Sequence, residues 1–194
     1  MDLLKEDHFE NVDFKEHKFT DKKLFLKSFY DCSFTKIDFY NTILSECLFS
    51  NVTFNSCDLS LVSFKSSKLT AVCFNDCKIM GVDFREIDSL IVKYDFNNCL
   101  ISECNFSGLK LEKTDFSKCK IENCDFYTTD LSSSDFREAV LKGSIFENVN
   151  LSKADFTDAK EYRINPLNNK LKGAKFSMPE AVSFFDYLGI KVKF

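Results

Sequence analysis

Residues 111–136 read LEKTDFSKCKIENCDFYTTDLSSSDF, and their order decides the fold. A large apolar residue returns at Leu111, Phe116, Ile121, Phe126, Leu131 and Phe136, always five positions apart. Two places before each of the last five stands a small residue: Thr114, Cys119, Cys124, Thr129, Ser134. The same beat extends outward without exception from Ile91 to Phe156. Upstream, an equally unbroken series steps by five from Phe9 to Phe84, and the two series are offset by two residues. A period of five fits neither the 3.6 of a helix nor the 2.0 of a flat strand. It fits a chain that turns a corner every five residues, so that twenty residues close one square coil. Coils then stack at the inter-strand spacing of about 4.8 Å.

A twenty-residue column is visible in the sequence as well. Phe96, Phe116, Phe136 and Phe156 form one column, Phe106, Phe126 and Phe146 another, with Ile91, Leu111, Leu131 and Leu151 between them. Large and medium side chains alternate around the square, which fills a narrow interior. This reading absorbs the odd composition of the 194-residue chain: 23 Phe, 9 Cys and no Trp. Eighteen of the Phe are central rungs, and every cysteine except Cys73 occupies the small inward position, as a small buried hydrophobe.

The repeated unit is a small residue, often Asp or Asn, then Phe or Leu, then two polar residues. Cys124-Asp125-Phe126, Ser134-Asp135-Phe136 and Ala154-Asp155-Phe156 carry it most clearly, and on them the chain resembles the pentapeptide repeat family. The resemblance implies an all-β fold, a right-handed quadrilateral β-helix, over residues 1–176. Lys22, Lys27 and Tyr94 depart from the small-residue preference, so a less regular first coil and slip region are expected. The slip at 85–90 reads either as a bulge or as a recognition loop. Residues 160–169 read as a loop replacing two faces.

Residues 177–194 change character. Ser177-Met178-Pro179-Glu180 has the form of a capping box, and Ala181, Val182, Phe185 and Leu188 follow at helical spacing before Gly189. Ile190, Val192 and Phe194 alternate with lysines, which predicts a short C-terminal strand after a short α-helix. This much apolar surface exceeds what a lid needs. Val182, Phe185, Leu188, Ile190, Val192 and Phe194 are therefore expected to form a homodimer interface at the C-terminus. Residues 173–194 also resemble the dimerising end of the quinolone-resistance (Qnr-type) branch of the family.

Chemistry for catalysis is missing from the sequence. No Gly-rich phosphate loop, Ser nucleophile elbow or paired-Cys zinc motif is present, and no catalytic residue, metal or cofactor is expected. Cys99 stacks over Cys119 and Cys104 over Cys124, but parallel Cβ vectors keep each pair wider than the ~3.8 Å a disulfide prefers. The longest aliphatic run, Leu90-Ile91-Val92, is far below a membrane span, and the start lacks a secretory apolar stretch, so a cytoplasmic protein with no membrane contact is expected.

What remains is the surface. Asp95, Asp115, Asp135 and Asp155 precede the Phe of one column, and Asp13 holds the matching place in the first coil. Stacked, they would draw a line of carboxylates along a rod. The bland reading is that Asp bonds its own turn there. The sharper one is mimicry of DNA, whose duplex carries a charge every ~1.7 Å. Residues 1–88 carry 15 acids and 11 bases, 89–169 carry 13 and 10, and 170–194 carry 2 and 5, so the rod is acidic and its end basic. A net charge of −4 argues against direct nucleic-acid binding. With the resemblance, this implies a DNA-mimicking inhibitor or protector of a type II topoisomerase, chiefly DNA gyrase. The alternative is a scaffolding solenoid for another protein.

Overall fold

The computed structural model describes residues 5–88 and 93–193. The chain winds into stacked square coils whose backbone ladders are all parallel. Register follows the repeat. His8–Glu10 pairs with Ser28–Tyr30, and these with the first residues of Leu48–Asn55, at an offset of twenty. Across the slip, Val72 faces Tyr94 and Ile79 faces Ile101, an offset of twenty-two. Twenty returns at once, with Ile101 facing Ile121. The two extra residues are thus confined to one corner, next to a 3₁₀ turn at Phe84–Glu86. Ser89, Leu90 and Ile91, which the repeat places in this corner, lie outside the described residues.

Four faces result, numbered here in chain order. Face 2 carries an uninterrupted ladder of nine rings: Phe14, Phe34, Phe54, Phe74, Phe96, Phe116, Phe136, Phe156 and Phe176. Consecutive centroids lie 4.7–5.2 Å apart with planes within 14° of parallel. Neighbouring faces meet it edge-on, as where Phe106 and Phe116 stand 6.1 Å apart at 85°. This combination of stacked and T-shaped contacts is what aromatic quadrupoles favour. The large side chains of the repeat are buried almost throughout.

The corners explain how five residues suffice. Two places after nearly every central residue the backbone adopts positive φ, as at Lys113 (60°), Lys118 (59°) and Asn123 (54°), the 3₁₀ turn after Phe84 being an exception. Among the described residues, twenty-six non-glycine residues have positive φ, nearly all of them at these corners. A type II turn requires positive φ at its third residue. In many corners the turn closes, for example Ser134 N–H to the Leu131 carbonyl at 3.2 Å and Ala139 N–H to Phe136 at 3.1 Å.

The small inward residues do more than leave room. Thr42 donates its hydroxyl to the Phe19 carbonyl at 2.7 Å, Ser67 to Leu44 at 2.6 Å, Thr129 to Phe106 at 2.9 Å and Ser134 to Leu111 at 2.8 Å. Cys57 and Cys77 direct their thiols in the same way, at 3.4 Å, to the carbonyls of Phe34 and Phe54. Serine, threonine and cysteine therefore play one part: each bonds the central carbonyl of the coil before.

Four expectations need correction. The first coil is regular, because Lys22 turns outward and Lys27 carries its buried ammonium to Asp7 Oδ1 (2.6 Å) and the Glu6 carbonyl (2.7 Å). Residues 160–169 do not simply leave the shaft: Tyr162 and Ile164 are buried in it. Ile164 bridges Phe146 at an offset of eighteen, and Lys170 bridges Asn150 at twenty, so two residues lost on one face are returned on the next. No capping box forms. Ser177 Oγ instead accepts from the Asp158 N–H, and a 3₁₀ turn at Glu180–Val182 leads into the helix α1, Ser183–Tyr187. Finally, Ile190–Lys193 form no strand, because no neighbouring strand of this chain pairs with them; Phe194 lies outside the described residues.

Candidate functional site: the charged faces and the C-terminal end

The predicted acidic residues fall into two groups. Along face 2 the column before the Phe ladder runs Asp13, Ser33, Thr53, Cys73, Asp95 in register. Asp115, Asp135 and Asp155 continue it, and Lys175 ends it. Four of the five carboxylates are thus consecutive, whereas Asp13 stands four coils away, where Ser33 donates to it at 2.6 Å.

Three of these four are anchored by their own turns, while Asp95 accepts from the Asp115 N–H of the next coil at 3.4 Å. Asp115 accepts from the Ser117 N–H at 2.8 Å, Asp135 from the Arg137 N–H at 2.9 Å and Asp155 from the Thr157 N–H at 3.0 Å. Two are also ion-paired. Arg137 grips both oxygens of Asp135, and Lys175 reaches Asp155 at 2.9 Å. Partial burial opposes ionisation of Asp155, but hydrogen bonds from Thr157 and Lys175 outweigh it and hold its carboxyl at about 2. Asp135 is likewise held below the ordinary range, burial opposing and Arg137 prevailing. The column is acidic in sequence but half neutralised in place.

Two acids that the sequence reading passed over join it. Glu138 and Asp158 occupy the positive-φ corner beside Asp135 and Asp155, and both are exposed. Their signal was present: they recur at one offset, three places after the column's Asp. The acidic patch is therefore densest around Asp135, Glu138, Asp155 and Asp158, in the last coils.

At the C-terminal end the expected interface residues divide from the one that anchors the helix. Phe184 packs over the shaft, 4.7 Å from Phe176 at 87° and 6.0 Å from Tyr162. Phe185, Leu188, Ile190 and Val192 stay exposed, while Val182 is half-buried. Phe184, not Phe185, closes the shaft. Its single-residue offset from the predicted helical stripe reflects a helix too short to hold a periodic face.

The cysteines gather inside. Cys57, Cys77, Cys99 and Cys119 form one column and Cys104 and Cys124 another, all buried and unbridged. Burial pushes the Cys32 and Cys47 thiols up and keeps them neutral. Among the described residues no cluster of His, Cys, Asp or Glu could hold a metal ion, and no helix is long and apolar enough to cross a membrane.

A shaft of square parallel coils with polar corners defines a quadrilateral β-solenoid, a scaffold that presents flat ladders of side chains. The family profile described as a pentapeptide repeat region matches residues 3–84, 27–106 and 99–176, and the chain belongs to the pentapeptide repeat family. Among solved structures it is similar to QnrB1, described as a plasmid-mediated fluoroquinolone resistance protein. Full-length QnrB1 matches with a TM-score of 0.63 at 20% identity, over 92% of this chain and 100% of that one. Two trypsin-treated QnrB1 variants match at 0.65 and 21%, covering 96% and 100% of the respective chains, and at 0.62 and 23%, covering 96% and 91%. At these identities the likeness is one of fold. A search of curated proteins gives no match.

Proposed function

We propose that this protein binds a type II topoisomerase, DNA gyrase, by presenting the acidic end of face 2 to the surface that otherwise holds DNA. The reading rests on binding rather than catalysis. The observation that carries it is the patch of Asp115, Asp135, Glu138, Asp155 and Asp158, set on a rigid lattice with about 5 Å between coils. A rod cannot collapse around its charges, so their spacing survives contact with a partner. The QnrB1 likeness supports the same direction, and relief of quinolone poisoning would follow from displacement of DNA or drug. Two rods joined through Val182, Phe185, Leu188, Ile190, Val192 and Phe194 would match a two-fold enzyme.

The alternative, a scaffold for some other protein, is favoured by one observation: Arg137 and Lys175 cancel part of the column's charge. A supercoiling assay separates the two. Micromolar protein should inhibit gyrase or relieve quinolone poisoning, and Asp115→Lys with Glu138→Lys should weaken the effect at least tenfold. No effect of the unaltered protein, or full effect of the double variant, rejects the mimic reading. Sedimentation of the same sample should give a dimeric mass at micromolar concentration, and a monomer removes the proposed interface.

A further inference from the structure

Face 1 carries a second charged surface of opposite sign. In the last four coils its outward residues are Lys110, Glu112 and Lys113, then Asp130, Ser132 and Ser133, then Asn150, Ser152 and Lys153, then Lys170, Lys172 and Gly173. The bridges from Lys110 to Asp130 to Asn150 to Lys170 place them on one ladder. A Cβ on Gly173 would lie 3.5 Å from Lys153 Cγ, so Lys153 lies along the same line toward the next coil. Five lysines face two acids, a local charge of +3 inside a chain of −4. All five are exposed, and none takes part in an ion pair among the described residues. Asp130, by contrast, is occupied by the Ser132 N–H and by Asn150. The five lysines are therefore outside ion pairs, whereas Asp135 and Asp155 of face 2 are paired with Arg137 and Lys175.

We infer that this ridge binds the phosphate backbone of duplex DNA. Its residues, lysine, serine and asparagine, are all types that contact phosphate oxygens. No arginine stands on it, and the Asn150 amide that could read a base edge is held by Asp130, so the contact is with the backbone and not with the sequence. No large apolar side chain is exposed on this face in these coils, among the described residues. The ridge thus lacks the aromatic and apolar residues that are enriched at the centres of protein–protein interfaces. The ridge is straight and spans three coil steps of about 5 Å each, the length of four to five base pairs at about 3.4 Å per pair. The inference revises the expectation drawn from net charge, which averages two faces of opposite sign. It stands independently of the gyrase reading.

The test is fluorescence anisotropy of a labelled 20-base-pair duplex titrated with the full chain, with no enzyme present. Binding should fall by between two and three orders of magnitude between 50 and 200 mM salt, since a logarithmic slope of about −4.5 is expected from five lysines at about −0.9 per phosphate. Lys113→Glu, Lys153→Glu and Lys170→Glu together should weaken binding more than tenfold and flatten the slope by about 3. Glutamate already occupies the equivalent positive-φ corner at Glu138, so the first two substitutions suit the fold. Lys118→Glu, Lys120→Glu and Lys142→Glu, an equal charge change on faces 2 and 3, should stay within threefold. Absence of binding at 50 mM salt, or equal loss in the two triple variants, overturns the inference. So does equal competition by polyglutamate per unit charge, which assigns the ridge to an acidic protein. Should the ridge variant fail to fold, a slope shallower than −2 for the unaltered protein overturns it as well.

Discussion

The coils before the slip and those after it build the same shaft with different corners. Before it, the inward small residue is chiefly valine or cysteine, as at Cys32, Val52, Cys57, Val72 and Cys77, and the chain there lies in strands such as Leu48–Asn55 and Lys68–Asn75. After it, Thr114, Thr129, Ser134, Ala139, Ser144 and Ala154 take that place, and each donates its N–H back to the central residue three positions earlier. Thr42 and Ser67, which sit early, close their turns as the later coils do. Val62 and Cys119 close theirs too, at 3.4 and 3.2 Å, so the preference is graded. The corner thus follows the residue more than its place in the rod. Valine and most cysteines go with an extended backbone, whereas serine, threonine and alanine go with one that folds back. What does not change, wherever that side chain carries a donor, is its bond to the preceding coil's carbonyl.

If corners differ while the shaft is common, removing a rung should cost the same on either side. Phe34→Ala and Phe116→Ala each remove a fully buried ring flanked by two stacked neighbours. Each should lower stability by about 3–5 kcal/mol in chemical denaturation. A gap above ~2 kcal/mol between the two would mean that the corners govern the packing as well. The next effect is smaller. Thr129→Val keeps the shape but removes the hydroxyl from the Phe106 carbonyl, and should cost about 1 kcal/mol. Cys77→Ser keeps a donor aimed at Phe54 and should stay within about 0.5 kcal/mol. If the serine variant loses as much as the valine variant, the shared role of thiol and hydroxyl is refuted.

How far this was legible follows from the same distinction. The period of five specifies the shaft because each rung repeats the same demand for a large apolar side chain. Thirty positions from Phe9 to Phe156 state it, so the break in register between Phe84 and Ile91 is visible in the sequence itself. The corner ladders, with Glu138 and Asp158 among them, are equally periodic but polar, and a polar period competes with the ordinary polarity of any surface. Neutralisation of Asp135 and Asp155 is harder to see. Arg137 is two residues from its partner, while Lys175 is twenty away and adjacent only because a coil closes. At the C-terminus the repeat stops, and with it the constraint. Burial of Tyr162 and Ile164, the role of Phe184 and the unpaired stretch Ile190–Lys193 depend on how one short segment meets the end of the shaft.

The smallest expected effect separates the two regions by acid. Asp58 and Lys78, before the slip, and Asp155 and Lys175, after it, are the same device: a carboxylate bonding its own turn and a lysine from the next coil. Both carboxyls are held down, against the opposing effect of burial, by hydrogen bonds and the lysine. A carboxyl lowered in the folded state stabilises at pH values above its unfolded value, near 3.8, and that contribution is lost as pH falls through the folded value, about 2 for Asp155. Asp155→Asn should therefore cost about 1 kcal/mol at pH 6, once the exposure of Lys175 is allowed for, and only a small fraction of that by pH 2. Asp58→Asn should show the same trend with a smaller amplitude, because its carboxylate is more exposed, 34% against 22%. Denaturation of the two variants between pH 2 and 6 checks both. A cost at Asp155 that persists at pH 2 would show that the side chain acts through its shape and turn bonds. Equal amplitudes at the two sites would show instead that solvent screening does not distinguish the early corners from the late ones.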